Sequence, residues 1–407
     1  MFGKGWRRRG TRGDEAVHVG RHGWLFLVGG SNRVMDRYRG AISQWRVLRG
    51  WVRLIEERAA RAERLGIRSL HVVVPEKLSV YDHMTHGLRY VAANASTRRL
   101  ARRLARNPAY LDLLAPLRAR RDGPVPMYLH TDTHWTADGC LVVYREIMRA
   151  LGAVPPPDLG SRPRTFTPSL MDLGDKVIPP QHEIVTHILP QRDAVRAETG
   201  ALLAAHEAAG REVDLHVGAH AVFRNEAASA DPRCLVLFGD SCAHFSPFML
   251  TGFLAESFRE VHFVWSSGLD WDYIERVGPD ILLFEVAERF LSRVPTDDYD
   301  VAVAGRRGTA GRLARIDDLR REAGGNNSVG RGIDLGEVGD AGGVVLREGL
   351  GREGDPDHQD EDRREAGEHR RDDLRLPAQG VDRHAAEREQ GRLSDGHQRE
   401  RHREPPV

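Results

Sequence analysis

The sequence of 407 residues is poor in cysteine, has almost no net charge and contains no long apolar run. A formal charge of +1 gives no overall attraction to nucleic acid, and no apolar stretch is long enough to span a membrane. Cys140, Cys234 and Cys242 are an odd number of cysteines, so at least one thiol is unpaired and the compartment is left undecided. These absences argue against a nucleic-acid partner and against a transmembrane segment in this chain.

The last part of the chain has a restricted composition: residues 305–407 contain no phenylalanine, tryptophan, tyrosine, methionine, cysteine or lysine. A segment built largely from arginine, acidic residues, glycine, alanine and histidine buries too little apolar surface to offset the entropy lost on ordering. We therefore predict a disordered, low-complexity tail. The absence of lysine beside many arginines is also what an out-of-frame, GC-rich message produces, so a frameshift artefact is the alternative interpretation.

The aromatic and long apolar residues are concentrated before this tail, and we interpret residues 17–304 as a single catalytic domain. Residues 1–16 are then a flexible N-terminal segment. Its arginine-rich sequence shows neither the apolar core nor the cleavage site of a signal peptide. Either the chain lacks its true start or the protein acts in the cytoplasm.

Residues 239–241 (GDS) directly follow residues 234–238 (CLVLF), an apolar run typical of a strand buried on both faces. Ser246 and Pro247 are typical of a helix start. Ser241 is thus predicted in a tight turn, where its hydroxyl can act as a nucleophile and the helix amino end can stabilise an oxyanion. Alone, the tripeptide is more often an ordinary turn between a strand and a helix.

Residues 131–135 (TDTHW) supply an imidazole and a carboxylate. Thr136 is predicted to cap the next helix, whose dipole would keep His134 neutral and ready to accept a proton, while Asp132 can reach the other ring nitrogen. With Ser241, these residues complete the hydroxyl, base and orienting carboxylate that acyl transfer needs. A loop hydrogen-bonded only to backbone groups and, less favoured, a metal site are the alternatives.

Strands and helices alternate along the domain, which predicts an α/β fold: a doubly wound α/β/α sandwich with a mainly parallel, five-stranded sheet. Both motifs then lie at strand carboxyl ends, where such sheets place their sites. Residues 154–230, interrupted by prolines, are predicted to be rich in loops. The predicted strands are at 24–28, 70–74, 127–129, 234–238, 261–265 and 281–285, and the predicted helices are at 42–65, at 97–105, and after Trp135.

The sequence resembles the alginate O-acetyltransferase AlgX/AlgJ family, whose domain is SGNH hydrolase-like. The resemblance extends from Val17 to about Val294, in the same order as in the family. In ordinary SGNH hydrolases the aspartate and histidine follow the serine, whereas here they precede it, as in the alginate family. The resemblance to the family rests on residues 132–136 (DTHWT), 239–241 (GDS), 20–27 (GRHGWLFL), 72–77 (VVVPEK) and 288–291 (ERFL).

The resemblance implies an O-acetyltransferase that modifies a bacterial exopolysaccharide through an acetyl-serine intermediate. It implies Ser241 as nucleophile, His134 as base and Asp132 as its partner, with no cofactor and no metal. It also implies a polysaccharide acceptor, an acetyl donor supplied by a membrane-bound O-acyltransferase, and a place in the periplasm or cell envelope. A carbohydrate acetylesterase and a non-catalytic polysaccharide-binding protein remain alternatives.

Other residues have weaker signals. Trp135 and Arg289 are predicted substrate contacts. Asn225 is predicted either to contribute to the pocket or to serve as a turn residue at a strand end. Glu76 and Lys77 are predicted mainly as an exposed pair, and the pair formed by Glu288 and Arg289 as a supporting ion pair on a loop.

Overall fold

The computed structural model describes residues 7–8, 16–30, 33–40, 42–211 and 215–305. The predicted tail lies outside these ranges except for Gly305, as does most of the predicted segment 1–16, so both domain boundaries stay predictions. The strands are β1 (Arg7–Arg8), β2 (Val17–Val19), β3 (Leu25–Leu27), β4 (Arg68–Val74), β5 (Tyr110–Leu111), β6 (Arg164–Leu170), β7 (Val177–Ile178), β8 (His182–Ile188), β9 (Ala194–Thr199), β10 (His220–Asn225), β11 (Asp231–Gly239), β12 (Phe258–Trp265) and β13 (Ile281–Ala287). The α-helices are α1 (Ile42–Arg64), α2 (Lys77–Val80), α3 (Ser96–Arg103), α4 (Leu114–Arg120), α5 (Ala137–Leu151), α6 (Ala201–Ala208), α7 (Leu250–Ala255) and α8 (Trp271–Val277).

A central sheet of seven strands has the order β5-β4-β13-β11-β12-β10-β9. The first five of these strands are parallel to one another, and β10 runs antiparallel to both of its neighbours. The predicted α/β class with a mainly parallel sheet is confirmed, whereas the predicted number of five strands is wrong. Two of the added strands, β9 and β10, come from the region predicted to be loops, where β9 carries mostly exposed side chains and shows no buried apolar run.

Two predicted strands do not join the central sheet. The predicted strand at 24–28 corresponds to β3, which instead pairs with β2 in a separate two-stranded sheet. The segment predicted at 127–129 makes one isolated bridge, between Tyr128 and Trp135, as the chain folds back on itself. The helix predicted from Ser246 begins later, at Leu250, and the apolar Phe258 belongs to β12 rather than to that helix.

The sheet is covered on both faces because alternate residues of its buried strands point in opposite directions. In β11, Leu235 and Leu237 pack in one apolar cluster with α5 and α7, while Val236 and Phe238 pack in the other with α1 and α8. Phe238 is fully buried, and replacing such a phenylalanine with alanine costs about 3–5 kcal/mol of stability. Among the described residues, no helix has both the length and the apolar character needed to cross a bilayer.

The parallel strands place three chain segments at one edge of the sheet. The turn that carries Ser241 follows β11, the segment that begins with Lys77 follows β4, and the segment that carries Arg289 follows β13. Because parallel strands all end at the same edge, residues distant in sequence meet there. This edge holds the candidate site.

Candidate active site

Ser241 lies in the turn directly after β11. The carbonyl oxygen of Asp240 accepts hydrogen bonds from the backbone N–H groups of Ala243 (3.2 Å) and His244 (2.9 Å), which closes the turn. The side chain of Asp240 accepts from the N–H of Cys242 at 2.9 Å. Helix α7 begins nine residues after Ser241, later than the helix start predicted at Ser246 and Pro247.

His134 lies just before α5, where its position is fixed by the helix start. The predicted cap is confirmed, because the hydroxyl of Thr136 accepts a hydrogen bond from the N–H of Gly139 at 3.0 Å. A Cβ atom at position 139 would lie 2.1 Å from the carbonyl oxygen of Met127, so only glycine allows the helix to approach the preceding strand-like segment this closely.

The three side chains predicted to converge do so, with His134 within hydrogen-bonding distance of both Ser241 and Asp132. The Nε2 atom of His134 is 2.7 Å from Oγ of Ser241, and its Nδ1 atom is 2.6 Å from Oδ1 of Asp132. The same carboxylate oxygen accepts the backbone N–H of His134 at 2.7 Å. A carboxylate only accepts hydrogen bonds, so Nδ1 carries the proton and Nε2 is free to accept one from the serine hydroxyl.

The charges of Asp132 and His134 stabilise each other. Burial alone would raise the pKa of Asp132, but the charge and hydrogen bonds of His134 hold it well below its usual range. Burial alone would lower the pKa of His134, but the charge and hydrogen bond of Asp132 outweigh burial and raise it. The net shift of the His134 pKa is thus upward, whereas the helix dipole alone was expected to favour the neutral ring, and the carboxylate makes the ring a stronger base.

The loop that carries Asp132 and His134 is held by a buried lysine that sequence reasoning missed. Lys77 was predicted mainly as part of an exposed pair, yet it is only 2% exposed. Its three N–H donors all bond to this loop, at 2.5–3.0 Å. Burial lowers the pKa of Lys77 to about 8. The acceptors are the carbonyl oxygens of Leu129, His130 and Asp132.

Two carboxylates hold the same loop from the other side. Glu183, in β8, accepts the N–H groups of His130 (3.0 Å) and Thr131 (2.8 Å) and the Thr131 hydroxyl (2.6 Å). Asp172 accepts the N–H (3.0 Å) and hydroxyl (2.7 Å) of Thr133. Both lie in the stretch predicted to be loops, where no local pattern marks an acidic residue as a partner of a distant loop.

Arg289 lies close to the site but is buried and paired. Its guanidinium is 3.3 Å from Glu76, which also accepts the Arg289 backbone N–H at 3.2 Å. The predicted partner, Glu288, instead accepts the backbone N–H groups of Glu76 and Thr97 and the Ser79 hydroxyl. Arg289 therefore supports the edge of the site, where its charge acts on His134.

The other two predicted substrate contacts do not face the site. Trp135 is 3% exposed and packs in the apolar cluster on the α5 side of the sheet. Asn225 ends β10 beside the start of β12, at the opposite end of the sheet from Ser241. Its amide donates to two backbone carbonyl groups and its oxygen accepts the N–H of Ala227. The structure does not bring Asn225 to the site. These bonds fit the other predicted role of Asn225, that of a turn residue at a strand end.

His244, three residues after the serine, has a neutral ring that accepts a hydrogen bond. Its Nδ1 atom accepts the backbone N–H of Ser246 at 3.0 Å, so the ring proton lies on Nε2. Burial, with the charges of His134 and His216, lowers the pKa of His244 to about 3. Its backbone adopts the left-handed conformation, with φ of 48°. A ring whose Nδ1 is occupied and whose proton affinity is this low cannot replace His134 as the base.

Asp132, His134 and Asp172 also place donor atoms within 4.8 Å of one another, as a metal site would require. Both ring nitrogens of His134, both carboxylate oxygens of Asp172 and Oδ1 of Asp132 already have hydrogen-bond partners. Cys140, Cys234 and Cys242 are all free thiols. Burial raises the pKa of Cys242 well above its usual range, so this neighbour of Ser241 is not a ready thiolate.

Comparison with known proteins identifies the family. Residues 17–273, more than half of the chain, match the family model described as SGNH hydrolase-like domain, acetyltransferase AlgX. The curated "Probable alginate O-acetylase AlgJ" of Pseudomonas fluorescens is 26% identical over 158 residues, which span 38% of this chain and only 38% of that protein.

Solved structures are similar at lower identity. The O-acetyltransferase domain of Pseudomonas putida AlgJ is 15% identical, with a TM-score of 0.48 over 72% of this chain and 99% of that one. Pseudomonas aeruginosa AlgX is 15% identical, with a TM-score of 0.40 over 70% of this chain and 62% of that one. The resemblance found in the sequence is thus confirmed by the family model, and the chain belongs to the family of the SGNH hydrolase-like domain of the acetyltransferase AlgX.

Proposed function

We propose that the protein is an O-acetyltransferase that carries an acetyl group on Ser241 and passes it to a hydroxyl group of an alginate-like exopolysaccharide. The observation that carries this proposal is the contact of His134 with both Ser241 (2.7 Å) and Asp132 (2.6 Å). The acceptor class rests on the family and on the name of the curated AlgJ relative.

In the first step, Nε2 of His134 takes the proton from Ser241 while Oγ bonds to the acetyl carbonyl carbon. Asp132 stabilises the imidazolium that forms. The bond to the donor's leaving group then breaks, and His134 returns its proton to that group. In the second step, His134 takes a proton from a sugar hydroxyl, whose oxygen attacks the acetyl-serine and releases Ser241 with its proton restored.

The donor and the location belong to the same proposal. We assign the supply of acetyl groups to a membrane-bound O-acyltransferase, and the site of action to the periplasm or cell envelope, because the AlgX/AlgJ resemblance implies both. The oxyanion would be stabilised first by the backbone N–H of Ser241.

The test is the mass of the intact protein after mixing with an activated acetyl ester, with and without a polysaccharide acceptor. An acetyl adduct on Ser241 that disappears faster with the acceptor, together with acetylated polysaccharide, is the expected result. Release of acetate at the same rate without the acceptor would identify an esterase. No adduct, with polysaccharide binding retained, would identify a non-catalytic binding protein.

A further inference from the structure

A buried carboxyl group lies directly beneath the turn that carries Ser241. Glu285 is in β13, which pairs with β11 in register, so Glu285 lies beside Gly239 and the start of the turn. The side chain of Glu285 is 1% exposed. A Cβ atom at position 239 would be 3.0 Å from Oε2 of Glu285, so the glycine lets this carboxyl group approach the backbone closely.

Glu285 and Asp240 are linked by the turn itself. Oε2 of Glu285 accepts the backbone N–H of Asp240 at 3.0 Å. The side chain of Asp240 accepts two backbone N–H groups, those of Cys242 (2.9 Å) and Ala287 (2.6 Å). Asp240 therefore fastens the residue after Ser241 to the end of β13, and both its oxygens act as acceptors.

One atom in this arrangement has no partner. Oε1 of Glu285 is buried and accepts no hydrogen bond from any of the described residues, although oxygens of Glu285 and Asp240 lie within 4.8 Å of each other. Two ionised carboxylates at this distance, away from water, would repel each other strongly. A proton on Glu285 removes the repulsion and gives the unpartnered oxygen a hydrogen bond to donate.

We propose that Glu285 is a positioning residue that stays protonated and donates a hydrogen bond to the Asp240 carboxylate. This pair holds the turn in the conformation that presents Ser241 to His134. The importance of the turn for acyl transfer rests on the proposed function of Ser241. The protonation of Glu285 does not.

The charges around Glu285 agree with a retained proton. Burial raises the pKa of Glu285 well above its usual range, and the charge of Asp240 raises it further. The charge of Arg289 lowers the pKa of Glu285, but Arg289 is itself paired with Glu76. Cys140 and Cys242, two further titratable neighbours, are buried thiols whose pKa values are raised, so they stay neutral and add no charge.

Infrared spectroscopy tests the proton without using activity. At neutral pH the protein should show the carbonyl stretch of a protonated carboxyl group, and this band should shift on labelling with ¹³C-glutamate and be missing from Glu285→Gln. Glu57→Gln, which removes an exposed glutamate of α1, should keep the band. A wild-type spectrum identical in this region to that of Glu285→Gln would overturn the proposal.

Labelling of Ser241 by an activated acetyl ester tests the positioning. Glu285→Gln can donate to Asp240 and accept from its N–H, so its labelling rate should stay within about threefold of wild type, whereas Glu285→Ala leaves a buried N–H unpaired and should label about 5–100-fold more slowly. At alkaline pH, the ratio of the wild-type rate to the Glu285→Gln rate should fall as Glu285 loses its proton. A ratio independent of pH, or a Glu285→Gln protein that labels as slowly as Glu285→Ala, would contradict positioning by a protonated pair.

The two kinds of failure are distinguishable. If wild-type Ser241 takes no acetyl group, the proposed function fails, and the infrared band still decides whether Glu285 holds a proton. If Ser241 is labelled but the band is missing, the inference about Glu285 fails and the acyl-transfer mechanism stands. If Glu285→Ala does not fold, the pH dependence of Glu285→Gln carries the test.

Discussion

The buried Lys77 offers a direct test of how the catalytic loop is held. Lys77→Met keeps the length and apolar stem of the side chain but removes all three N–H donors to the loop. The loop then loses every hydrogen bond that this side chain makes to it. We expect lower stability and slower acetylation of Ser241, because His134 and Asp132 lie on the loop that is released.

The magnitude follows from two opposing contributions. Hydrogen bonds from a charged donor contribute about 1.5–3 kcal/mol each. Against them stands the cost of burying the ammonium group, which lowers the pKa of Lys77 from 10.5 to about 8, a change equivalent to roughly 3 kcal/mol. For the three bonds together, the net loss of unfolding free energy should be about 1.5–6 kcal/mol near pH 7. A displacement of His134 by about 1 Å would slow labelling by roughly 100-fold.

Urea unfolding measures the stability, and the rate of Ser241 acetylation by an activated ester measures the loop geometry. Lys176→Met is the matched control, because Lys176 is exposed and is the other lysine in the part of the chain that the structure describes. This control should unfold and label like wild type. If Lys77→Met also labels at the wild-type rate, the claim that Lys77 positions the catalytic loop is refuted, whatever its stability.

Four further outcomes are expected. Asp132→Asn should leave the melting temperature nearly unchanged but slow labelling by up to about 10⁴-fold, as in the serine-protease precedent, because the amide favours the wrong tautomer of His134; a loss below tenfold would argue against the triad. In a rate–pH profile, labelling should decline on acidification with a midpoint above 6.5, because the pKa of His134 is raised and the protonated ring cannot accept the serine proton; a midpoint below 6.5 would contradict this. Ser241→Ala should take no acetyl group while Cys242→Ala labels normally in intact-mass spectra, and the reverse pattern would assign the nucleophile to the thiol. Between pH 8 and 10.5, the unfolding free energy of wild type should rise relative to Lys77→Met by about 3 kcal/mol, because native Lys77 has released a proton that the unfolded chain still binds; a falling difference would contradict the lowered pKa.

The sequence was sufficient wherever a local pattern repeats over many residues. The helix α1, the capped start of α5 and the apolar strands β4, β11, β12 and β13 were all predicted close to their observed places. The two motifs were predicted to converge because both follow strand-like runs. The fold class and the arrangement of Ser241 with His134 were therefore accessible from the order of the residues alone.

What the sequence could not provide are the contacts made only by the complete fold. Lys77 follows a strand and precedes a turn, as an exposed lysine would, and its burial depends on three carbonyl groups more than 50 residues away. The pattern of β9 is polar because this strand lies at the edge of the sheet. Asn225 gave an ambiguous signal, since turn residues and pocket residues share the same composition.

The strand order also determines when the central sheet can be completed during synthesis. Strand β13, the last strand among the described residues, lies between β4 and β11, so the strand that Lys77 follows and the strand that Ser241 follows are joined only after residues 281–287 have been synthesised. His134 and Ser241 are separated by 107 residues, and Lys77, which bonds to the loop of His134, follows one of the two strands that β13 joins. A nascent or truncated chain that ends before Ile281 lacks the strand that joins β4 to β11. We expect such a chain to leave the proposed site incomplete, because the segments that follow β4 and β11 are then not held side by side.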